Sequence, residues 1–142
     1  MSATTLKIKK LTQTCIAPKR QSEGSAGYDL YSDGRYVIAP ESSFLIDTGI
    51  SLELPQGTYG RIAPRSSLAS EFTSIGAGVI DTDYRGQVKV LFFNHSKGHV
   101  VIAHGNRIAQ LILEKIITPE VEVVEDLSET TRGELGFGST GK

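Results

Sequence analysis

Three internal stretches and the chain end carry residue types that can hold phosphate or activate water. "APRSSLA" (Ala63 to Ala69) offers the Arg65 guanidinium and the Ser66 and Ser67 hydroxyls at a strand end, beside a possible helix start. Guanidinium, hydroxyls and free N–H groups together suit phosphate oxygens; the same stretch also reads as a capped helical turn with a surface arginine. "GAGVIDTDYRG" (Gly76 to Gly86) sets Asp81, Asp83 and Tyr84 in a hairpin-like segment, where Gly76 and Gly78 would let a flat ring lie against the backbone. A carboxylate there can orient and deprotonate water, or it can close an Asx turn. "AGYDLYS" (Ala26 to Ser32) adds Asp29 between tyrosines, and Gln110 interrupts an apolar run, where a polar side chain usually has a partner. The end, "RGELGFGSTG" (Arg132 to Gly141), combines four glycines with Arg132, Phe137 and a Ser139-Thr140 pair. It reads either as a flexible tail or as an arm that closes over something.

The elements that must position these residues are strands. Leu6 and Ile8 alternate with lysines, Ile50, Leu52 and Leu54 with Ser51 and Glu53, and Val121 and Val123 with Glu120 and Glu122. This period of two marks short half-buried strands. "QVKVLFFN" (Gln87 to Asn94) and "RIAQLILEKII" (Arg107 to Ile117) are apolar on nearly both faces, as strands buried on two sides are. Turn signals fall at Ser32-Asp33-Gly34, Pro55-Gln56-Gly57, Ser96-Lys97-Gly98 and His104-Gly105. Such spacing predicts an all-β barrel or sandwich, with only "SSLASEF" (Ser66 to Phe72) able to wind into a helical turn or two. The last strand is expected to end near Glu125, giving a β-domain over residues 1–125 and an arm over residues 126–142.

Composition narrows the function. The 142 residues suffice for one domain, and a chain of this size buries about two-thirds of its unfolded surface. A net charge of −1 provides no basic field for nucleic acid or an acidic membrane. No apolar run reaches the ~20 residues of a membrane span, and "MSATTLKIKKL" matches neither a signal nor a transit peptide. A soluble protein of the cytoplasm or nucleus is expected, with no membrane or direct nucleic-acid partner. The single cysteine, Cys15, suits a reducing compartment and is expected to be a small buried apolar residue. GxxxxGK[ST], HExxH and paired CxxC are absent, and His95, His99 and His104 read as loop histidines.

In order, "AGYDLYS", "PRSSLA", "GVIDTDYRG", "GNRIAQLIL" and "RGELGFGSTG" resemble the five motifs of the trimeric all-β deoxyuridine 5′-triphosphate nucleotidohydrolases (dUTPases), closest to eukaryotic and large-DNA-virus members. The resemblance spans Ala26 to Gly141. It implies a jelly-roll-like β subunit, a homotrimer whose three sites each draw on all three chains, and Mg²⁺-dependent hydrolysis of dUTP to dUMP and pyrophosphate. By resemblance, Asp81 holds the 3′-hydroxyl and orients the attacking water as general base. Tyr84 lies under the deoxyribose, and backbone near Gly78 and Lys89 reads uracil. Arg65, Ser66 and Ser67 meet the phosphates, Gln110 orders water or a phosphate oxygen, and Asp29 touches Mg²⁺ through its waters. Arg132 pairs with the γ-phosphate, Phe137 stacks on uracil, and Gly138, Ser139 and Thr140 face the phosphates.

Two departures from the family pattern stand out. Ser67 replaces a glycine, which would strain the chain by roughly 1–2 kcal/mol if φ were positive there and would fit if only an N–H were required. Asn106 replaces an acidic residue, weakening any ion pair while still suiting a tight turn. An inactive trimer serving as a binding module, a dCTP deaminase relative and a carbohydrate-binding sandwich are the competing readings. Intact Asp81, Tyr84, Arg132 and Phe137 argue against the first, nothing resembles the extra catalytic residues of the second, and the third leaves the five motifs unexplained.

Overall fold

The computed structural model describes residues 4–69 and 72–138 of the chain. Eleven strands are described: β1 (Lys7–Lys10), β2 (Tyr28–Tyr31), β3 (Tyr36–Ile38), β4 (Ser42–Asp47), β5 (Ile50–Glu53), β6 (Thr58–Ala63), β7 (Thr73–Gly76), β8 (Val79–Ile80), β9 (Lys89–Asn94), β10 (Val100–Ile102) and β11 (Arg107–Lys115). One helical turn, α1 (Ser66–Ala69), follows β6. The fold is all-β, and the four turn signals each fall between consecutive strands, β2/β3, β5/β6, β9/β10 and β10/β11.

The larger sheet runs β2-β11-β6-β8 and a second runs β4-β9-β7; the ribbons β1-β5 and β3-β10 complete the jelly-roll-like shell. Every strand pair is antiparallel, the pattern expected of hairpin-connected half-buried strands. One core gathers Leu30, Ile46, Ile50, Ile62, Ile80, Val90, Phe92, Ile108 and Leu111 from six of these neighbourhoods, β2, β4, β5, β6/β8, β9 and β11. Cys15 joins it at 4% exposure, its thiol donating to the Thr12 carbonyl at 3.3 Å. Among the described residues no buried side-chain N or O lacks a partner. Asn94 shows how: its amide donates to Ile38, Ala39 and Gly98 carbonyls while its Oδ1 accepts from Ser96.

Two strand readings are corrected. β9 buries Val90, Phe92 and Asn94 but leaves Leu91 and Phe93 half-exposed, and β11 likewise half-exposes Ile112 and Leu113. Leu113 still packs against the core, while Leu91, Phe93 and Ile112 lie on the faces turned away from the buried residues of their strands. The strand expected through Val121 and Val123 is not formed: regular structure among the described residues ends at Lys115. Val121 and Val123 are 91% and 94% exposed, so the alternating pattern is present but the segment pairs with no strand among the described residues.

The segment before β2 is fastened by Asp33, whose carboxylate accepts from Thr12 and Thr14 hydroxyls, both at 2.7 Å, and faces His104 Nε2 at 3.2 Å. Burial pushes this carboxyl up, but the hydrogen bonds from Thr12, Thr14 and His104 outweigh it and hold the group below its ordinary value.

Candidate active site

The site residues fall into two groups at opposite ends of the β6 strand. The first surrounds the turn after β8. Tyr84 N–H donates to the Asp81 carbonyl at 3.1 Å, closing Asp81-Thr82-Asp83-Tyr84 into a turn, and the Thr82 hydroxyl fastens it to the Thr58 carbonyl at 2.6 Å. The exposed Asp81 carboxylate has no side-chain partner among the described residues, which leaves it free to serve a ligand. It opens with Tyr84, Ala77, Val79, Val88 and Lys89 onto a cavity of about 270 Å³. Lys89 is steadied at 3.4 Å by Asp47, its partner across β4 and β9.

Glycine at 78 has a reason other than ring approach. A Cβ there would lie 2.5 Å from the Ile62 carbonyl oxygen, and Ile62 N–H donates to the Gly78 carbonyl at 2.7 Å. The backbone of β6 takes the room a side chain would fill, which pins the hairpin against the sheet. Gly86, unassigned from sequence, is needed by Tyr84: a Cβ at 86 would meet the phenol oxygen at 2.6 Å. The ring folds over Gly86, and its hydroxyl donates to the Gln87 carbonyl at 2.7 Å. Tyr84 is therefore held as a fixed platform at the cavity mouth.

The second group lies where β2, β11 and β6 run side by side. Gln110 is paired in register with Asp29 on one side and Ala63 on the other, so Asp29, Gln110 and the Pro64-Arg65-Ser66-Ser67 turn share one end of the sheet. Gln110 donates to the Pro64 carbonyl at 3.0 Å, the partner its polar character anticipated. Asp29 is 8% exposed and lies between two guanidiniums, Arg65 Nε and Arg107 Nη1, each at 3.6 Å. Arg107 was not singled out as a site residue, although it stands inside one of the motifs.

Both sequence departures are accommodated. Ser67 sits in α1 and is not among the described non-glycine residues with positive φ, so the strained alternative does not arise; its hydroxyl accepts from Arg65 Nη1 at 3.4 Å. Asn106 closes the β10/β11 turn through its Oδ1, which accepts from Ala103 N–H at 2.7 Å.

Phe137 and Arg132, the described arm residues expected at the site, join neither group. Phe137 is fully exposed, and the Arg132 guanidinium turns back to the Leu135 carbonyl at 2.5 Å. Ser139 and Thr140 lie outside the described residues.

The pairing register sets Asp81 and Arg65 apart along β6. β8 runs antiparallel to β6 with Ile80 opposite Gly60, which sets Asp81 level with Tyr59, while Arg65 lies beyond Ala63. Roughly 13 Å of strand separates Tyr59 from Ala63, with Asp29 two strands further across the sheet.

The dUTPase family model matches residues 13–141 of the sequence. The chain belongs to the dUTPase family. It is 51% identical over 137 residues to the deoxyuridine 5′-triphosphate nucleotidohydrolase of Oryza sativa subsp. japonica, covering 96% of this chain and 80% of that one. To the enzyme of the same name from Paramecium bursaria Chlorella virus 1 it is 50% identical, covering 96% and 97%. Its fold superposes on a Staphylococcus bacteriophage 80alpha dUTPase with dUpNHpp at a TM-score of 0.91 and 30% identity, covering 97% of this chain and 99% of that one. Plant and viral relatives thus match the dUTPase chain equally well, as the motifs indicated.

Proposed function

We propose that this dUTPase chain hydrolyses dUTP to dUMP and pyrophosphate at sites assembled between copies of itself. The observation that carries the reading is the free Asp81 carboxylate beside the fixed Tyr84 ring, on one cavity, while the Arg65 and Asp29 cluster lies beyond the Ala63 end of β6. A nucleoside seated at one end needs a phosphate cluster from another chain. In a homotrimer, Asp81 and Tyr84 of one copy face Arg65, Ser66, Ser67 and Gln110 of a second. The arm of a copy, with Arg132, Phe137 and Gly138, closes the site.

The exposed apolar residues support such an assembly. The segment carrying Glu120, Val121, Glu122 and Val123 alternates charge and valine, while β1 carries Lys7, Lys9 and Lys10 and pairs on one side only, with β5. An acidic strand from a neighbour laid on that basic edge would use both the backbone donors and the opposite charges.

In the proposed reaction Asp81 accepts a proton from water, the water oxygen bonds to the α-phosphorus in line, and the bond to the β-phosphate bridge breaks to release pyrophosphate. A carboxylate suits the task because positioning and proton acceptance are most of the protein's work in phosphoryl chemistry. Uracil is read by backbone groups near Gly78 and Lys89. A cytosine amino group would leave such hydrogen-bonding groups unmatched, a discrimination of about 10⁴ or more.

The donor set fits magnesium held chiefly by the substrate. Among the described residues no three His, Cys, Asp or Glu side chains form a metal cage, and Asp29 is the carboxylate in the phosphate cluster. An ion that keeps most of its waters can be met by an outer-shell carboxylate, and Asp29 would take that place while its oxygens also face Arg65, Arg107 and Gln21. When bound, Mg²⁺ supplies charge neutralisation on the triphosphate. The activity would limit uracil in DNA and supply dUMP for thymidylate synthesis.

The test is pyrophosphate release by purified protein with Mg²⁺ and each of dUTP, dTTP, dCTP and UTP. Release from dUTP alone is expected; no release from dUTP would leave the non-catalytic binding trimer as the better reading. The sugar platform has its own check. Tyr84→Ala is expected to raise UTP cleavage relative to dUTP, since the ring leaves no room for a 2′-hydroxyl. An unchanged UTP/dUTP ratio would reduce Tyr84 to a packing residue.

A further inference from the structure

Gln21 precedes the motif that contains Asp29 and has no role in the assignments above. Its Nε2 donates to Asp29 Oδ2 at 2.8 Å and lies 3.3 Å from the Tyr31 hydroxyl. Arg107 Nη1 approaches the same carboxylate oxygen, whereas Arg65 Nε faces the other, Oδ1. The loop that bears Gln21 is itself tied down. Asp29 N–H donates to the Lys19 carbonyl at 2.8 Å, the Arg20 guanidinium lies 5.7 Å over the Tyr28 ring, and Arg20 Nη1 donates to the Glu23 carbonyl at 2.6 Å.

We infer that Gln21 is a positioning residue for triphosphate binding: it fixes the Asp29 carboxylate so that Oδ1 faces Arg65. The inference rests on the phosphate role proposed for Arg65. A carboxylate between two guanidiniums can pivot to share both oxygens with either one. The Arg107 and Arg65 contacts at 3.6 Å are ion pairs longer than hydrogen bonds, so they set charge more than angle. The 2.8 Å amide bond is the short directional contact on this group. With it in place the Arg65 fork is presented to phosphate in one geometry; without it the fork must be ordered by the ligand, which weakens binding.

Gln21→Ala should therefore weaken binding of the non-hydrolysable analogue dUpNHpp, measured by calorimetry, about tenfold, as loss of a supporting contact behind a ligand-binding group does. KM for dUTP should rise by a similar factor while kcat stays within about threefold, the pattern of a lost binding contact. Binding of deoxyuridine, which has no phosphate, should be unchanged. Gln21→Glu keeps the side-chain length but sets an acceptor against Asp29, and should weaken dUpNHpp at least as much as alanine does. Unchanged dUpNHpp binding in both variants overturns the inference, and so does an equal loss of deoxyuridine affinity, which a merely structural role would give. Failure of the unsubstituted protein to bind dUpNHpp would instead sink the phosphate reading on which the inference stands.

Discussion

Asp81→Asn is expected to lower dUTP turnover by about 10²–10⁴-fold, the usual worth of a positioned general base, while leaving fold and analogue binding intact. The substitution is isosteric, and the carboxylate it replaces is exposed and without a side-chain partner among the described residues. The turn at Asp81 is held by main-chain atoms and by Thr82, not by the carboxylate. The asparagine amide can still hydrogen-bond a sugar hydroxyl but cannot take the proton from water. Turnover and dUpNHpp affinity should therefore separate. Turnover near that of the unsubstituted protein would remove Asp81 from the chemistry.

Ending the chain at Thr131 is expected to cost at least about 100-fold in dUTP turnover with almost no change in melting temperature. Among the described residues the deleted segment adds nothing to the core: Leu135 is half-exposed and Phe137 fully exposed. Their expected value arises when substrate is bound, from stacking on uracil worth roughly 1–3 kcal/mol and from Arg132 on the terminal phosphate. The segment that alternates valine and glutamate is retained, so the proposed assembly should survive. In the full-length protein dUpNHpp should protect the Arg132–Phe137 region from proteolysis. Normal turnover by the truncated chain, or equal cleavage with and without analogue, would make the arm a simple tail.

Legibility in the sequence followed the range of the forces involved. Turns and strand periodicity are local: all four turn signals and the strand over Ile50–Glu53 appear as read, although Ser51, expected to face solvent, is buried. Ser67 was open because the sign of one φ is decided by the turn it joins, and α1 decides it. Gly78 was a correct signal with a different physical cause, because its need for glycine comes from Ile62, sixteen positions earlier in the chain. Gln21 and Gly86 acquire meaning through a carboxylate and a phenol that fold onto them, which no spacing rule announces. At Val121 and Val123 the alternation predicted a strand that does not form: regular structure among the described residues ends at Lys115, and both valines are exposed. The five motifs name the residues of the proposed site; that Asp81 and Arg65 stand apart along β6 emerges from the pairing register.

That separation is the central claim, and subunit mixing tests it most directly. Asp81→Asn and Arg65→Ala proteins, each nearly inactive alone, are to be unfolded together, refolded at equal concentrations and assayed for pyrophosphate release from dUTP. If a site takes Asp81 from one copy and Arg65 from another, random assortment in a trimer restores about a quarter of the sites, and activity should rise to that fraction of the unsubstituted protein. Activity no higher than that of the two inactive parents, from a mixture shown to contain mixed trimers, would place both residues in the same chain's site and contradict the account.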